Sequence, residues 1–261
     1  MLGFERMNAM TFHPLLVFAL SLVALWLSAQ IGAALRRARL SADEELREDF
    51  GVILAGTLTL LGLVIGFTFS MAVDRYDQRK NYEEAEANAI GTEFMRADLL
   101  PAADAAKLRA LLKDYLDQRI LFYVNLGEAE LQQINARTNR LQSELWASVR
   151  APAAAQPTPV VALAVAGMND VLNSQGYTQA AWWNRIPIAA WALMAAIAIC
   201  CNLLVGYGSR SNRVGAKRLL VLPLVVAIAF MLIADIDTPR RGMIEVKPQN
   251  LMSLAESLGS H

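Results

Sequence analysis

Long apolar stretches alternate with charged helical ones along this chain. Four stretches contain no Lys, Arg, Asp or Glu, and they run approximately over residues 14–35, 51–73, 186–207 and 219–234. Crossing the hydrocarbon core of a bilayer as a helix takes about 20 predominantly apolar residues. The pattern predicts an all-α protein with four transmembrane helices, of which the last is the shortest.

A helical domain is predicted between the second and third spans. Apolar residues at intervals of three and four define one stripe from Leu108 to Tyr123, and a second stripe runs from Leu131 to Val149. The Pro-rich segment 151–159 predicts a break, and a short helix is expected over residues 160–173.

The chain is therefore divided into four parts. Residues 1–73 hold transmembrane helices 1 and 2, residues 74–185 form the helical extramembrane domain, residues 186–236 hold transmembrane helices 3 and 4, and residues 237–261 form a C-terminal segment.

The second span is expected to continue beyond the membrane as one helix. Residues 74–98 are charged but contain neither a proline nor a helix-ending motif before Pro101. Within the span, Gly62, Gly66 and Ser70 recur every four residues, which predicts a smooth helix-packing face, either within one subunit or between subunits.

Composition supports the membrane assignment and excludes other classes. The chain of 261 residues is 55% hydrophobic and 18% charged, and its formal net charge is zero, which argues against nucleic-acid binding. Its two histidines lie near chain ends, and its two cysteines, Cys200 and Cys201, are neighbours in an apolar run. We therefore expect no disulfide framework, no metal site, no cofactor and no enzyme activity.

Charged residues at the ends of the spans form two groups on one side of the membrane. The arrangement predicts either an ion-pair network between them or a solvated collar. The Arg and Lys residues that flank the spans are almost evenly distributed between the two sides, which leaves the orientation open. The two groups are Asp74, Arg75 and Asp77, and Asp235, Asp237, Arg240 and Arg241.

Acidic residues also cluster further along the second helix. Glu83, Glu84, Glu86 and Glu93 lie close to Asn88, but the histidines that helical di-iron sites use are missing. We interpret this cluster as a solvated acidic face.

Two segments resemble the signature regions of the bestrophin-like domain family of bacterial membrane proteins. They are GFTFSMAVDRYDQRKNYEEAEANAIGTEFMRADLLP, residues 66–101, and DIDTPRRGMIEV, residues 235–246. The family is distantly similar to bestrophins, which are homopentameric anion channels with four spans per subunit and a pore lined by the second span. The resemblance implies a homo-oligomer, a pentamer if it follows bestrophins, in the lipid bilayer of the bacterial inner membrane.

The same resemblance implies a candidate pore constriction. Bestrophins carry bulky residues one turn apart on the second span, and Leu61, Ile65 and Phe69 have that spacing here. Lipid contact or helix packing is the alternative for these three side chains. The function implied is that of a channel for small inorganic ions, and anions are the ions expected from the resemblance. The alternative is a non-conducting membrane scaffold or sensor whose helical domain binds a partner.

Overall fold

The computed structural model describes residues 13–38, 45–124, 127–209, 219–240 and 242–259, and every regular element among them is helical. This confirms the all-α class. The α-helices are α1 (Pro14–Ala38), α2 (Glu45–Arg96), α3 (Ala102–Tyr123), α4 (Glu128–Ala155), α5 (Pro159–Trp183), α6 (Ile188–Gly208), α7 (Val221–Asp237) and α8 (Gln249–Gly259), and a 3-10 turn, Ala97–Leu99, follows α2.

The chain forms two compact units. The first contains Met1–Asp74 and Arg185–Ile244, and the second contains Arg75–Asn184 and Glu245–His261. Helix α2 belongs to both units, since its 52 residues include the boundary at Asp74. The predicted continuation of the second apolar stretch into a charged helix is therefore confirmed.

The first unit is organised around a close crossing of α1 and α6. A Cβ atom added to Gly206 would overlap the backbone carbonyl of Ala29, and one added to Gly32 would overlap the carbonyl of Leu203. Two helix backbones approach this closely only where side chains are absent or very small. The Arg36 guanidinium also donates to the carbonyls of Tyr207 and Gly208, at 3.2 and 2.7 Å, and so caps the end of α6.

The second unit has its own hydrophobic core. Both predicted apolar stripes contribute to this core, because each presents one face of its helix to the other elements of the unit. An aromatic group closes one end, where the ring of Trp182 lies 5.1 Å from Phe122 and 5.4 Å from Tyr123, both edge to face. The buried stripe residues include Leu108, Leu112, Leu116, Ile134, Leu141, Leu145 and Val149.

Two helix ends and one additional helix in this unit differ from the sequence-based expectation. Helix α4 continues through Pro152 to Ala155, so the break is confined to Gln156–Thr158. Helix α5 extends to Trp183 instead of ending near residue 173. Its Ser174 hydroxyl donates to the carbonyl of Val171 at 2.8 Å, so this side chain is accommodated inside the helix. The C-terminal segment also contains a helix, α8, which was not predicted.

Three stretches among the described residues are long and apolar enough to cross a membrane. They are Pro14–Arg36, Phe50–Leu99 and Pro159–Gly208, and each contains at least one strongly apolar window. Helix α7 is shorter, with 17 residues, or about 25 Å of helix. Pro223 lies buried in its first turn, where a proline is compatible with helix geometry.

Candidate functional site

The apolar half of α2 is the least covered of the three long apolar stretches found among the described residues. Only 6% of its most apolar window is buried, against 22% in each of the other two stretches. Phe67 and Phe69 are 64% and 42% exposed, and because neighbours two apart on a helix lie about 200° apart, they face different directions. This surface requires lipid or another protein copy to cover it.

The three candidate constriction residues differ in their surroundings. Phe69 is exposed, Ile65 is partly buried, and Leu61 is buried at 3% exposure. A four-residue step advances the helix by about 40°, so the three side chains follow a shallow spiral from the covered side of α2 to its open side. Their role as a constriction stays a prediction.

The glycine face of α2 is open. Gly62, Gly66 and Ser70 are all exposed, and a Cβ atom added to either glycine would have no described neighbour within 4 Å beyond its own helix backbone. No helix of the same chain packs there among the described residues. A close approach of helix backbones occurs instead at Gly32 and Gly206, which were not among the predicted packing positions.

The charged half of α2 carries a buried polar face, which we call the polar stripe. It consists of Arg79, Glu83, Glu86 and Glu93, all 0–2% exposed. The interpretation of this region as a solvated acidic face is therefore wrong for its three buried glutamates. Only Glu84 and Asn88 of that cluster are exposed.

The centre of the polar stripe is a buried ion pair. Arg119 of α3 donates to Glu86 through Nε at 2.5 Å and Nη2 at 3.3 Å, and the Thr178 hydroxyl of α5 donates to the same carboxylate at 3.1 Å. The Arg119 guanidinium also lies over the Phe122 ring, 4.5 Å from its centroid. Burial, reinforced by the Glu86 carboxylate, raises the pKa of the Tyr115 phenol, which stays protonated.

Arg79 and Glu83 of the polar stripe bind the ends of other helices. Arg79 donates to the carbonyls of Ala181 and Asn184, both at 3.3 Å, at the end of α5, where an arginine side chain satisfies carbonyls that lack helical partners. The Glu83 carboxylate accepts from the Leu251 backbone N–H at 2.9 Å and from the Asn250 amide at 2.6 Å, at the start of α8.

Glu93 is the exception in the polar stripe. Its side chain is fully buried, and neither carboxyl oxygen has a hydrogen-bond partner among the described residues. Its carboxyl tip occupies the space where a side chain at Gly167 would begin, next to the Arg96 guanidinium. Burial raises the pKa of Glu93 to about 8, Arg96 opposes the shift and Asp170 adds to it. The carboxyl group is therefore mainly protonated at neutral pH.

This buried acid predicts a specific pH dependence of stability. Since the folded-state pKa of about 8 lies above the ordinary value of 4.5, the contribution of Glu93 to stability is largest below pH 4.5 and is lost as the pH rises to about 8. We expect the melting temperature of the wild type, relative to that of Glu93→Gln, to fall across this window. Thermal melts of detergent-solubilised protein measure it. The exposed Glu84→Gln serves as control and retains the wild-type slope; equal slopes for all three proteins would refute the assignment.

A profile of the Bestrophin-like domain matches residues 15–251 of the chain. The chain belongs to the Bestrophin-like domain family. No curated protein sequence matches it. Membership in this family makes the chain a membrane protein and confirms the resemblance noted in the sequence.

Solved structures share the fold of this bestrophin-like protein at low sequence identity. A point variant of a bacterial bestrophin homologue from Klebsiella pneumoniae superimposes with a TM-score of 0.65 at 12% identity, over 92% of this chain and 97% of that one. A second structure of a Klebsiella pneumoniae homologue gives a TM-score of 0.61 at 13% identity, over 94% and 97%. A variant of a protein described as a membrane protein gives 0.63 at 13%, over 93% and 97%.

The second signature segment of this bestrophin-like protein uses its aspartates to bind backbone. The Asp235 carboxylate accepts from the N–H groups of Met243 and Ile244 at 2.7 and 2.9 Å, and Gly242 leaves room for it, because a Cβ there would lie 2.7 Å from Asp235 Oδ1. The Asp237 carboxylate accepts from the Ile186 N–H at 3.1 and 3.2 Å, just before α6.

These contacts give both aspartates roles within the first unit. The predicted ion-pair network with Asp74, Arg75, Asp77 and Arg240 stays a prediction, and Arg241 lies outside the described residues.

Among the residues that the structure describes, no three His, Cys, Asp or Glu side chains are placed to hold a metal ion.

Proposed function

We propose that this bestrophin-like protein is an oligomeric ion channel of the bacterial inner membrane, with anions as its preferred ions. The observation that carries the proposal is the charge-free, largely uncovered apolar half of α2, in a chain that belongs to this family. A surface of this kind on the second span is suited to contact with neighbouring copies around a central path. The similarity to bacterial bestrophin homologues supports the same arrangement.

The proposed membrane topology uses α1, the apolar half of α2, α6 and α7 as the four spans. With the turn at residues 219–220, α7 approaches the length that the hydrocarbon core requires. The second unit would then lie outside the membrane as the inserted helical domain. The contacts of the polar stripe fix the charged half of α2 in this unit, and the apolar half continues from it along the same helix.

In this proposal, Leu61, Ile65 and Phe69 form a hydrophobic constriction of the path. Bulky apolar rings control ion passage because a narrow apolar pore loses its water. Phe69 is the exposed member of the three, so it is the side chain most able to reach a path shared by several copies. Gly62, Gly66 and Ser70, exposed on the same helix, would allow a neighbouring subunit to approach closely.

The test compares two phenylalanines on one helix. We expect Phe69→Ala to raise chloride flux into proteoliposomes severalfold, because removing the ring widens and hydrates the constriction. Phe67→Ala is the matched control, since it removes the same side chain from a differently directed, more exposed face, and it is expected to leave flux unchanged.

Flux experiments with potassium in place of chloride test the preference for anions. If Phe69→Ala and wild type both conduct and their fluxes are equal, Phe69 is not part of the constriction. If purified wild type and both variants are silent, the channel proposal fails. The scaffold or sensor function then becomes the better one, and the second unit is the part to test for partners.

A further inference from the structure

A cavity of about 300 Å³ lies in the second unit, between α2 and α5. One wall carries Asn88, Thr92 and Arg96, which follow each other at intervals of four residues and so project from one side of α2. The opposite wall carries Gly167 and Asp170 of α5. The cavity is open to solvent and large enough for a molecule of a few carbon atoms.

The two walls carry opposite charges. Arg96 contributes a guanidinium, whose planar set of donors suits a carboxylate, and Thr92 and Asn88 add a hydroxyl and an amide on the same side. Asp170 contributes a carboxylate on the other side, which suits an ammonium group and repels a simple anion. The cavity therefore favours a ligand that carries one charge of each sign.

Glu93 explains why Arg96 is available to a ligand. The buried Glu93 carboxyl lies directly beside the Arg96 guanidinium, at the site of the missing Gly167 side chain, yet in the described part of the chain its oxygens have no hydrogen-bond partner. Because the pKa of Glu93 is about 8, it is mainly uncharged at neutral pH and attracts Arg96 only weakly. Arg96 on α2 and Asp170 on α5 are the charged groups that act on it.

We infer that this cavity is a binding site for a small zwitterion of the amino-acid class. Arg96 and Thr92 bind its carboxylate, and Asp170 binds its ammonium group. Gly167 is required because a side chain there would displace both Glu93 and Arg96 from their positions beside the cavity. The inference is independent of ion conduction, since it concerns only contacts within the second unit.

The experiment uses the full chain in detergent and isothermal titration calorimetry. The probes are unbranched ω-amino acids from β-alanine to ε-aminocaproate, which vary the spacing of the two charges. Propionate and propylamine are the half-probes, since each carries one of the charges. We expect at least one ω-amino acid to bind and both half-probes to bind at least about tenfold more weakly, the effect of losing one charged hydrogen-bonding partner.

Two variants locate the site. Arg96→Gln and Asp170→Asn are each expected to weaken binding at least about tenfold. Arg140→Gln and Asp114→Asn make the same changes at exposed positions elsewhere in the unit and are expected to bind as wild type. Arg96→Lys retains the charge without the planar guanidinium, and an intermediate affinity is expected, which separates a binding defect from misfolding.

The pH dependence provides a second signature. Above the Glu93 pKa of about 8, the Glu93 carboxylate competes with the ligand for Arg96, so the wild type should bind the ω-amino acid more weakly there than below it. Glu93→Gln should bind the ω-amino acid equally below and above this pH. The inference is overturned if no ω-amino acid binds, if a half-probe binds as tightly as the zwitterion, or if Arg96→Gln and Asp170→Asn both retain wild-type affinity.

Discussion

Gly206→Val is expected to prevent folding of the first unit. A Cβ atom at this position would overlap the Ala29 carbonyl, and because that atom is backbone, no side-chain rotation can relieve the overlap. Helices α1 and α6 would have to separate along the crossing. Overpacking in an adaptable core costs about 1–3 kcal/mol, and a backbone clash between two helices exceeds that range. Fluorescence-detected size-exclusion chromatography should show aggregated or absent protein.

Gly62→Val and Gly66→Val are the matched controls for this experiment. They introduce the same side chain into an apolar helix at positions where, among the described residues, a Cβ has no neighbour within 4 Å beyond its own helix backbone. Both variants should fold, and a loss of oligomers in either one would place the glycine face of α2 between subunits. A monodisperse, thermally unchanged Gly206→Val protein would contradict the close helix crossing.

Glu86→Ala is expected to produce the largest loss of stability in the second unit. It leaves the fully buried Arg119 guanidinium without its carboxylate, and uncompensated buried charges of this kind cost about 3–5 kcal/mol. For a chain of this size, the corresponding fall in melting temperature is roughly 6–20 °C. Differential scanning fluorimetry in detergent measures it.

A double variant separates charge from packing in this prediction. Glu86→Leu with Arg119→Met replaces both members of the pair by apolar side chains, and such replacements often restore stability. We therefore expect the double variant to melt well above Glu86→Ala. Glu84→Ala, on the exposed side of the same helix, should melt as wild type. If Glu86→Ala matched Glu84→Ala, the ion pair would contribute nothing measurable.

The helices were largely predictable because their apolar patterns are local. The stretch at residues 51–73 is charge-free, and its charged continuation contains nothing that ends a helix before Pro101, so α2 could be expected almost to its last residue. The end of α5 was less predictable. Ser174 and Gly176 resemble a helix end in sequence, whereas in the structure the helix is stabilised by packing of Val171, Thr178 and Trp182 against other elements.

The polar stripe could not be predicted from local sequence. Glu86 and Arg119 are 33 residues apart, and a glutamate paired with a distant arginine has the same local spacing as one facing solvent. One signal was present in the sequence. Positions 79, 83, 86, 90 and 93 lie on a common face of α2, and Ile90 among them is apolar, which is unusual for a fully solvated face.

The spacing of the polar stripe has a consequence for how the chain tolerates insertions. Its residues are separated by four, three and seven positions, which matches the heptad repeat of packed helices. One inserted residue between Glu83 and Glu86 would rotate the rest of α2 by about 100° relative to its start. Glu86 and Glu93 would then leave their buried positions. An inserted heptad would restore the rotation but lengthen α2 by about 10 Å. The sequence of α2 beyond Arg79 is therefore constrained in length as strictly as in composition.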